Sequence, residues 1–237
     1  MEIPRIIHQI WSDKYKPLPE FFKTLAQTWK DVYPDWEYIY WDEAKMDDFV
    51  KREYPLYYNF YYTLPFDSQR WDLIRFFILN KMGGMHVDFD YEAVENMECL
   101  FEGKTCCIGL EPDAHVQRYG VKYVLNSALM ASVPGHPFVK KLIERICSPE
   151  TLICSQENKP MCVLSTTGPL FQANVYSSLS EEEKEQVYLI PAKNVTPFDS
   201  VQLYRLRMGE KSEELEACMK EAYAVHYFAN TWVSLLL

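Results

Sequence analysis

Apolar runs and polar breaks divide the chain into short strands and amphipathic helices. Residues 5–11 (RIIHQIW) follow Pro4 as a largely apolar run and read as a buried first strand. Pro17 and Pro19 interrupt the chain, and residues 20–30 read as a helix. Tyr33-Pro34-Asp35 is a turn, and residues 36–41 (WEYIYW) read as the second strand. Asp42 caps a helix over 43–53, where Met46, Phe49 and Val50 recur at helical spacing. The aromatic cluster at 54–62 (YPLYYNFYY) reads as a helical excursion packed on the core, with an acceptor platform as the alternative. A helix capped by Asp67 or Ser68 then runs to Met82, with Trp71, Leu73, Ile74, Phe77 and Ile78 as its apolar face. Asp72 and Arg75 lie three apart, so they share a face away from most of that stripe. Gly83-Gly84 ends the helix and lets the backbone turn sharply, and residues 85–87 form a very short strand that delivers Asp88.

The second half is less regular. Residues 105–110 and 124–132 read as strands, the latter with Asn126 inside an apolar run, and 111–119 reads as a polar loop between them. Pro134-Gly135-His136-Pro137 leads into a helix to about Cys147, and 148–165 reads as irregular. A further helix starts near Pro169, residues 187–191 form a strand, and 209–223 contains a charged helix. Residues 223–228 (YAVHYF) are the last apolar run, followed by Asn230-Thr231-Trp232. Strands alternate with helices through the first half, which predicts one α/β domain over 1–237 with a mainly parallel sheet covered on both faces. In such sheets ligands bind outside the carboxyl ends of the strands, where Trp11, Asp88 and Asn126 fall on this reading.

Composition narrows the function. Hydrophobic residues make up 48% of the 237, enough for a substantial core, and the 17 Tyr and 6 Trp supply either packing or stacking platforms. The net charge is −10 without a Lys/Arg cluster, so no nucleic-acid partner is expected, and an anionic ligand would need a metal or an arginine. Seven Cys without a CxxC read as reduced thiols in a cytoplasmic protein. No signal peptide is expected, because residues 1–5 lack a charged region followed by an apolar run, and no membrane span, because no apolar run approaches ~18 residues.

The candidate chemistry centres on Asp88 and Asp90. At i and i+2 on an extended strand end, both carboxylates point the same way. Two like charges that close call for a cation, and Mg²⁺ or Mn²⁺ fills its remaining sites with phosphates and waters. The bland alternative is a pair of solvated loop aspartates. Asp72 and Arg75, one helix upstream, are either an exposed intrahelical ion pair of little energetic weight or a grip on sugar hydroxyls. Trp11, His226 and Trp232 have core or anchoring roles as their plain alternatives.

Four blocks in order carry a family resemblance. Ile3-Pro4-Arg5-Ile6-Ile7-His8-Gln9-Ile10-Trp11 resembles an "IPKIIHQIW" strand, and Trp71-Asp72-Leu73-Ile74-Arg75-Phe76 an "SDxxRY" helix. Gly83-Gly84-Met85-His86-Val87-Asp88-Phe89-Asp90 is similar to "GGxYxDxD", and His226 to Trp232 to a closing "HxxxxSW". These are the signatures of the DxD-containing glycosyltransferases of family 32, which include initiating mannosyltransferases and capsular polysaccharide enzymes; the clostridial glucosylating toxins look similar more distantly. The resemblance implies a GT-A fold with a Rossmann-like sheet, a nucleotide-sugar donor (a UDP-hexose or GDP-mannose), a divalent metal, usually Mn²⁺, and retention of anomeric configuration. Carried over, Trp11 would lie against the base, Asp72 and Arg75 would bind donor sugar hydroxyls, and Asn126 would stand near the donor sugar. Asp88 would contact ribose, sugar or the metal shell, Asp90 would ligate the metal, and His226 and Trp232 would close on the metal-diphosphate. The acceptor implied is a glycan or a lipid-linked saccharide, in surface polysaccharide synthesis, with loose peripheral membrane contact at the inner face of a membrane. His86 stands where Tyr is usual and is expected to change packing only; Thr231 and Trp71 replace Ser and a small residue.

Three further readings remain open on the residues. Glu111 is a weak candidate nucleophile for a double displacement. Asp88 and Asp90 could be nucleophile and acid of a DxD phosphohydrolase, although the strand before Asp88 is short for one. The chain could also be a non-catalytic module that binds sugar nucleotides.

Overall fold

The computed structural model of the chain describes residues 2–153, 158–231 and 233. Its strands are β1 (Ile6–Ile10), β2 (Glu37–Trp41), β3 (Gly84–Val87), β4 (Tyr91–Ala93), β5 (Cys106–Leu110), β6 (Leu125–Ser132), β7 (Tyr188–Ile190) and β8 (Ala224–His226). Six of them form one sheet in the order β2-β1-β3-β6-β5-β7, while β4 and β8 make a small antiparallel pair beside it. β1 runs parallel to β2 and β3, and β5 runs parallel to β7. β6 runs antiparallel to both of its neighbours. The sheet is the mainly parallel one that the alternation of elements predicts, with a single inverted strand that periodicity cannot reveal.

The two faces of the sheet bury separate clusters. Phe49, Leu73, Phe77, Ile108, Met130 and Leu142 pack on one side. Trp29, Met85, Val87, Tyr91, Leu129 and Ile190 pack on the other. Ile108 and Met130 share one face while Cys107, Leu129 and Ala131 share the other, as a period of two requires. β3 is buried at every position, which suits a central strand covered on both faces. The helix Asp67–Met82 lies against this sheet and is buried continuously from Asp72 to Leu79. Enclosure of that stretch means that Asp72 and Arg75 are not on a solvated face.

The turn into β3 depends on glycine. Gly84 has φ +92°, and a Cβ there would stand 2.6 Å from the carbonyl of Ile6 on β1. His8 closes the same junction: its Nε2 lies 2.9 Å from the carbonyl oxygen of Gly83, and the Trp41 indole N–H donates to its Nδ1 at 3.2 Å. An indole only donates, so Nδ1 accepts and Nε2–H donates, which fixes a neutral His8. Burial pushes its pKa down to about 4.

Several expectations need correction. The polar stretch 111–119 contains the helix Asp113–Tyr119, and 148–165 contains the helix Lys159–Thr166, whose first turn is capped by Asn158. The helix Ser200–Arg207, capped by Asp199 with Gln202 reaching back, carries too weak an apolar period to be legible, and β4 is too short. The reading of uniformly reduced thiols fails at Cys162, which is disulfide-bonded. Cys99, Cys106, Cys107, Cys147 and Cys218 are free. No helix among the described residues is long and apolar enough to cross a membrane.

Candidate active site

A cavity of about 260 Å³ opens at the edge of the sheet where β1 and β3 end and β6 begins. Trp11, Asp72, Arg75, Asp88, Asp90, Asn126 and His226 all line it. Because β6 is inverted, Asn126 reaches this edge from the start of its strand rather than from a carboxyl end. Trp232 lies outside the described residues.

Asp88 and Asp90 arrive by a turn rather than along an extended strand. β3 stops at Val87, and the N–H of Tyr91 bonds back to the Asp88 carbonyl at 3.2 Å. The two carboxylates consequently have different partners. Asp88 Oδ1 sits 2.8 Å from His86 Nε2 and 3.6 Å from the Arg75 guanidinium. Asp90 Oδ2 accepts the backbone N–H of Ala229 at 2.8 Å, and its Oδ1 lies 3.3 Å from His226 Nε2.

Arg75 organises the first of these groups. It lies 3.3 Å from Asp72, donates to the Ser127 carbonyl at 2.7 Å and approaches Asp88. Thr167 donates to the other Asp72 oxygen at 2.6 Å. With side chains only 9% and 11% exposed, the Arg75–Asp72 pair is buried, not the weak surface pair that spacing alone allowed. Burial raises the Asp72 pKa against the pull of Arg75 and Thr167. Burial also opposes ionisation of Asp88, but the Arg75 charge and the His86 hydrogen bond outweigh it and hold that carboxyl well below the usual range. A register shift between β5 and β6 helps to build this cluster: Ile108 pairs with Met130 while Gly109 pairs with Asn126. The residues between peel away from β5, so the Ser127 carbonyl faces Arg75 and the Ala128 carbonyl receives the Asp88 N–H at 2.8 Å.

His86 does more than alter packing. It is fully buried, burial depresses its pKa, and its Nε2–H donates to Asp88 while its Nδ1 has no partner. The GGMHVDFD block held this signal, because a strand places residues i and i+2 on one face.

The second group is a network around His226. Its ring stacks on Tyr91 with centroids 4.4 Å apart and planes 1° from parallel. The Ala128 N–H takes Asn126 Oδ1 at 3.0 Å, which leaves the Asn126 amide nitrogen to face the Tyr91 hydroxyl at 2.7 Å and His226 Nδ1 at 3.3 Å. Asn126, at 1% exposure, positions His226 and Tyr91. Burial opposes a charge on His226, but Asp90, Glu111 and Asp88 together raise its pKa. The same negative field suits a divalent cation. No group of three metal-ligating side chains is preassembled among the described residues. An ion held near Asp88, Asp90 and His226 would have to take most of its ligands from a diphosphate and water.

Trp11 stands half-buried at the rim, edge-on to Phe22 and Phe89 at 5.6 and 6.3 Å, with its N–H held by the Lys16 carbonyl. Sequence reasoning does not single out Thr167, Tyr91, His115 or Ser200, and it names Glu111 only as a weak nucleophile; Glu111, His115 and Ser200 form a hydrogen-bonded chain lining the same cavity. Those contacts span 95 residues in the case of Asp72 and Thr167, and no local pattern announces them.

A buried carboxylate–arginine pair beside an Asp-x-Asp turn lies at the strand-end edge of a mainly parallel sheet with a GT-A glycosyltransferase fold. The fold is shared with the ligand-free glycosyltransferase domain of the YGT toxin, at a TM-score of 0.57 and 10% identity over 92% of this chain and 90% of that one. Residues 19–106 match the family described as glycosyltransferase sugar-binding region containing DXD motif, and the chain belongs to that family. It is 32% identical over 190 residues to inositol phosphoceramide mannosyltransferase 2 of Schizosaccharomyces pombe, covering 80% of this chain and 50% of the relative. It is 29% identical over 176 residues to inositol phosphoceramide mannosyltransferase 3 of the same yeast, covering 74% and 45%. The chain thus spans about half the length of these relatives.

Proposed function

We propose that this chain transfers a hexose from a nucleotide-diphosphate sugar to a hydroxyl of a lipid-linked polyol or saccharide, with a divalent metal and with retention of anomeric configuration. The observation that carries the reading is the buried Asp72–Arg75 pair, with the part-exposed Asp88 beside it, facing the same cavity as Asp90 and His226. Carboxylates held in place by Arg75, Thr167 and His86 are acceptors already oriented for donor hydroxyls, which limits the reorganisation needed when the sugar arrives. The names of the two yeast relatives support mannose as the sugar, hence GDP-mannose as the first donor to test ahead of a UDP-hexose. They also support the head group of an inositol phospholipid over a surface polysaccharide as acceptor.

Asp88, Asp90 and His226 would hold Mn²⁺ or Mg²⁺, which supplies charge neutralisation of the departing diphosphate. Arg75 adds positive charge beside the donor and keeps Asp72 and Asp88 oriented. Trp11 offers an aromatic rim for the base. The bond from the sugar C1 to the phosphate oxygen breaks with its electron pair going to the phosphate. A bond forms from C1 to the acceptor oxygen on the same face, and the acceptor proton passes to the departing phosphate oxygen. Glu111 is held by His115 at 2.7 Å, which disfavours it as the nucleophile of a double displacement. The phosphohydrolase alternative needs a free Asp88, whereas His86 and Arg75 both engage one of its oxygens.

Loose membrane contact accompanies a lipid-linked acceptor. Val201, Tyr204 and Met208 recur at helical spacing along and just past the helix Ser200–Arg207, each more than 60% exposed, and Ser200 lines the cavity. A donor panel with and without Mn²⁺ tests the function, read by released nucleotide and by NMR of the product's anomeric proton. Metal-dependent turnover of GDP-mannose with an α product is expected. A β product, or a glycosyl adduct trapped on any carboxylate, would rule out the front-face mechanism; absence of turnover on every donor would leave a binding module.

A further inference from the structure

A second hydrogen-bonded chain lines the cavity, and apart from the negative field that Glu111 adds at His226 it has no part in the donor reading. Glu111 follows the end of β5, and its Oε2 lies 2.7 Å from His115 Nδ1. His115 Nε2 lies 3.0 Å from Ser200 Oγ. The carboxylate accepts, so Nδ1 carries the imidazole hydrogen and Nε2 presents a lone pair. Ser200 Oγ–H donates to that lone pair, and the Ser200 backbone N–H points to the same nitrogen at 3.4 Å. His115 is 8% exposed and lodged edge-on against Phe228 with centroids 4.9 Å apart, while the other neighbour of Phe228 is the His226 ring at 4.1 Å. One aromatic ring therefore separates this chain from the imidazole beside Asp90. Phe228 sits at φ +45°, a conformation a bulky side chain rarely adopts, so the fold holds that ring between the two histidines at a cost in backbone strain.

A buried imidazole with one nitrogen held by a carboxylate and the other facing a mobile hydroxyl is a receptor for a hydroxyl group. Water or a ligand O–H can replace the serine rotor at Nε2, and Ser200 Oγ can turn to donate to the same ligand. On the next turn of the helix Asp113–Tyr119, Arg118 also lines the cavity, with its guanidinium 5.9 Å from the Tyr119 ring. Among the described residues it makes no ion pair, so its charge is available to an anion.

We propose that Glu111, His115, Ser200 and Arg118 form the acceptor subsite, taking a polyol that carries a phosphodiester: a hydroxyl donates to His115 Nε2, and the phosphodiester faces Arg118. The proposal rests on the glycosyltransferase reading above, and it adds where the acceptor sits and which groups recognise it. Glu111 is the positioning residue, since it acts through the His115 tautomer.

The test uses glycerophosphoinositol and free myo-inositol as acceptors with the donor found active, and compares Glu111→Gln, His115→Gln, Ser200→Ala and Arg118→Gln. The acceptor KM is expected to rise about tenfold in Glu111→Gln and His115→Gln and about threefold in Ser200→Ala, while the donor KM moves less than twofold. Arg118→Gln should raise KM for glycerophosphoinositol and leave that for free inositol near wild type. Saturation-transfer NMR of glycerophosphoinositol, with GDP and Mn²⁺ present, reads binding without turnover. Signal in the wild type that disappears in His115→Gln supports the subsite even if no transfer is seen, in which case only the functional reading fails. No signal in the wild type, or a donor KM that rises in step with the acceptor KM, would overturn the subsite. Ser200 and Arg118 are exposed, so their variants give an answer even if Glu111→Gln or His115→Gln fails to fold.

Discussion

Two walls of one cavity are built by different means. The wall that carries Asp72, Arg75 and Asp88 comes from a helix buried from Asp72 to Leu79 and from the ends of β3 and β6, and its charged groups meet one another, Thr167, His86 and the Ser127 carbonyl. The wall that carries Glu111, His115, Ser200 and Phe228 comes from a strand end, two short helices and a loop with positive φ at Phe228 and Asn230. The difference follows from charge. Keeping the Asp72 carboxylate and the Arg75 guanidinium out of water, with Asp88 only part-exposed beside them, costs several kcal/mol per ion unless the geometry is fixed and the lone pairs are met, which demands regular, buried elements. The Glu111–His115 pair is as little exposed, at 11% and 10%, but it sets one carboxylate against a neutral imidazole instead of gathering three charged groups, so it tolerates a looser frame.

The largest effect that would break this contrast is on chemistry at the charged wall. Asp90→Ala should lower transfer by about 10³-fold or more, with the melting temperature nearly unchanged, because the side chain meets one backbone N–H and one imidazole. Chelation should abolish activity and added Mn²⁺ restore it. Near-normal rates in either experiment would remove the metal from the reading.

Next in size is stability. Arg75→Ala leaves Asp72 buried without its cation and should destabilise the fold by about 3–5 kcal/mol in urea titration. An unchanged midpoint would mean that water replaces the guanidinium, and the donor wall would then be no stiffer than the other.

His8 gives a comparable effect by pH. Its pKa is about 4 in the fold against about 6.5 when unfolded, so the unfolded chain binds more protons between those values. The stability tied to neutral His8 is fully present above pH 6.5, falls as the pH drops toward 4, and amounts to about 3 kcal/mol over that window. His8→Gln should flatten this part of the stability–pH curve; a curve parallel to wild type would show that His8 does not tie β1 to the glycine turn.

Smaller changes sharpen the comparison. Thr167→Val removes one hydrogen bond to a buried carboxylate and should cost about 1–3 kcal/mol, measured by thermal unfolding. Ser200→Ala, on the other wall, should leave stability within about 0.5 kcal/mol. Equal costs at the two positions would erase the distinction between the walls.

Much of the frame was legible before any coordinates. The apolar runs at β1, β2, β5 and β6, the helix over 43–53 and the glycine pair before Asp88 all fall where local pattern places them. Asp72 and Arg75 could be paired from their spacing, since three residues apart on a helix means one face. The helices Asp113–Tyr119 and Lys159–Thr166 were not legible, because each is about two turns long and buries only one or two residues, too few for a helical period to show. His86 was judged by the residue it replaces rather than by the face it shares with Asp88.

The sequence by itself thus determined the elements, the order of the charged residues and the glycines that let β3 approach β1, because helix and strand periods and left-handed turns are local properties of a chain. Only the tertiary structure decided that β6 is inverted, that the Asp72–Arg75 pair is buried rather than solvated, that Thr167 and His86 are the partners of Asp72 and Asp88, and that a second, hydroxyl-facing wall exists. Each of these depends on contacts between segments far apart in the chain. Burial, which sets the energetic weight of a charge or a hydrogen bond, is defined only once those segments meet.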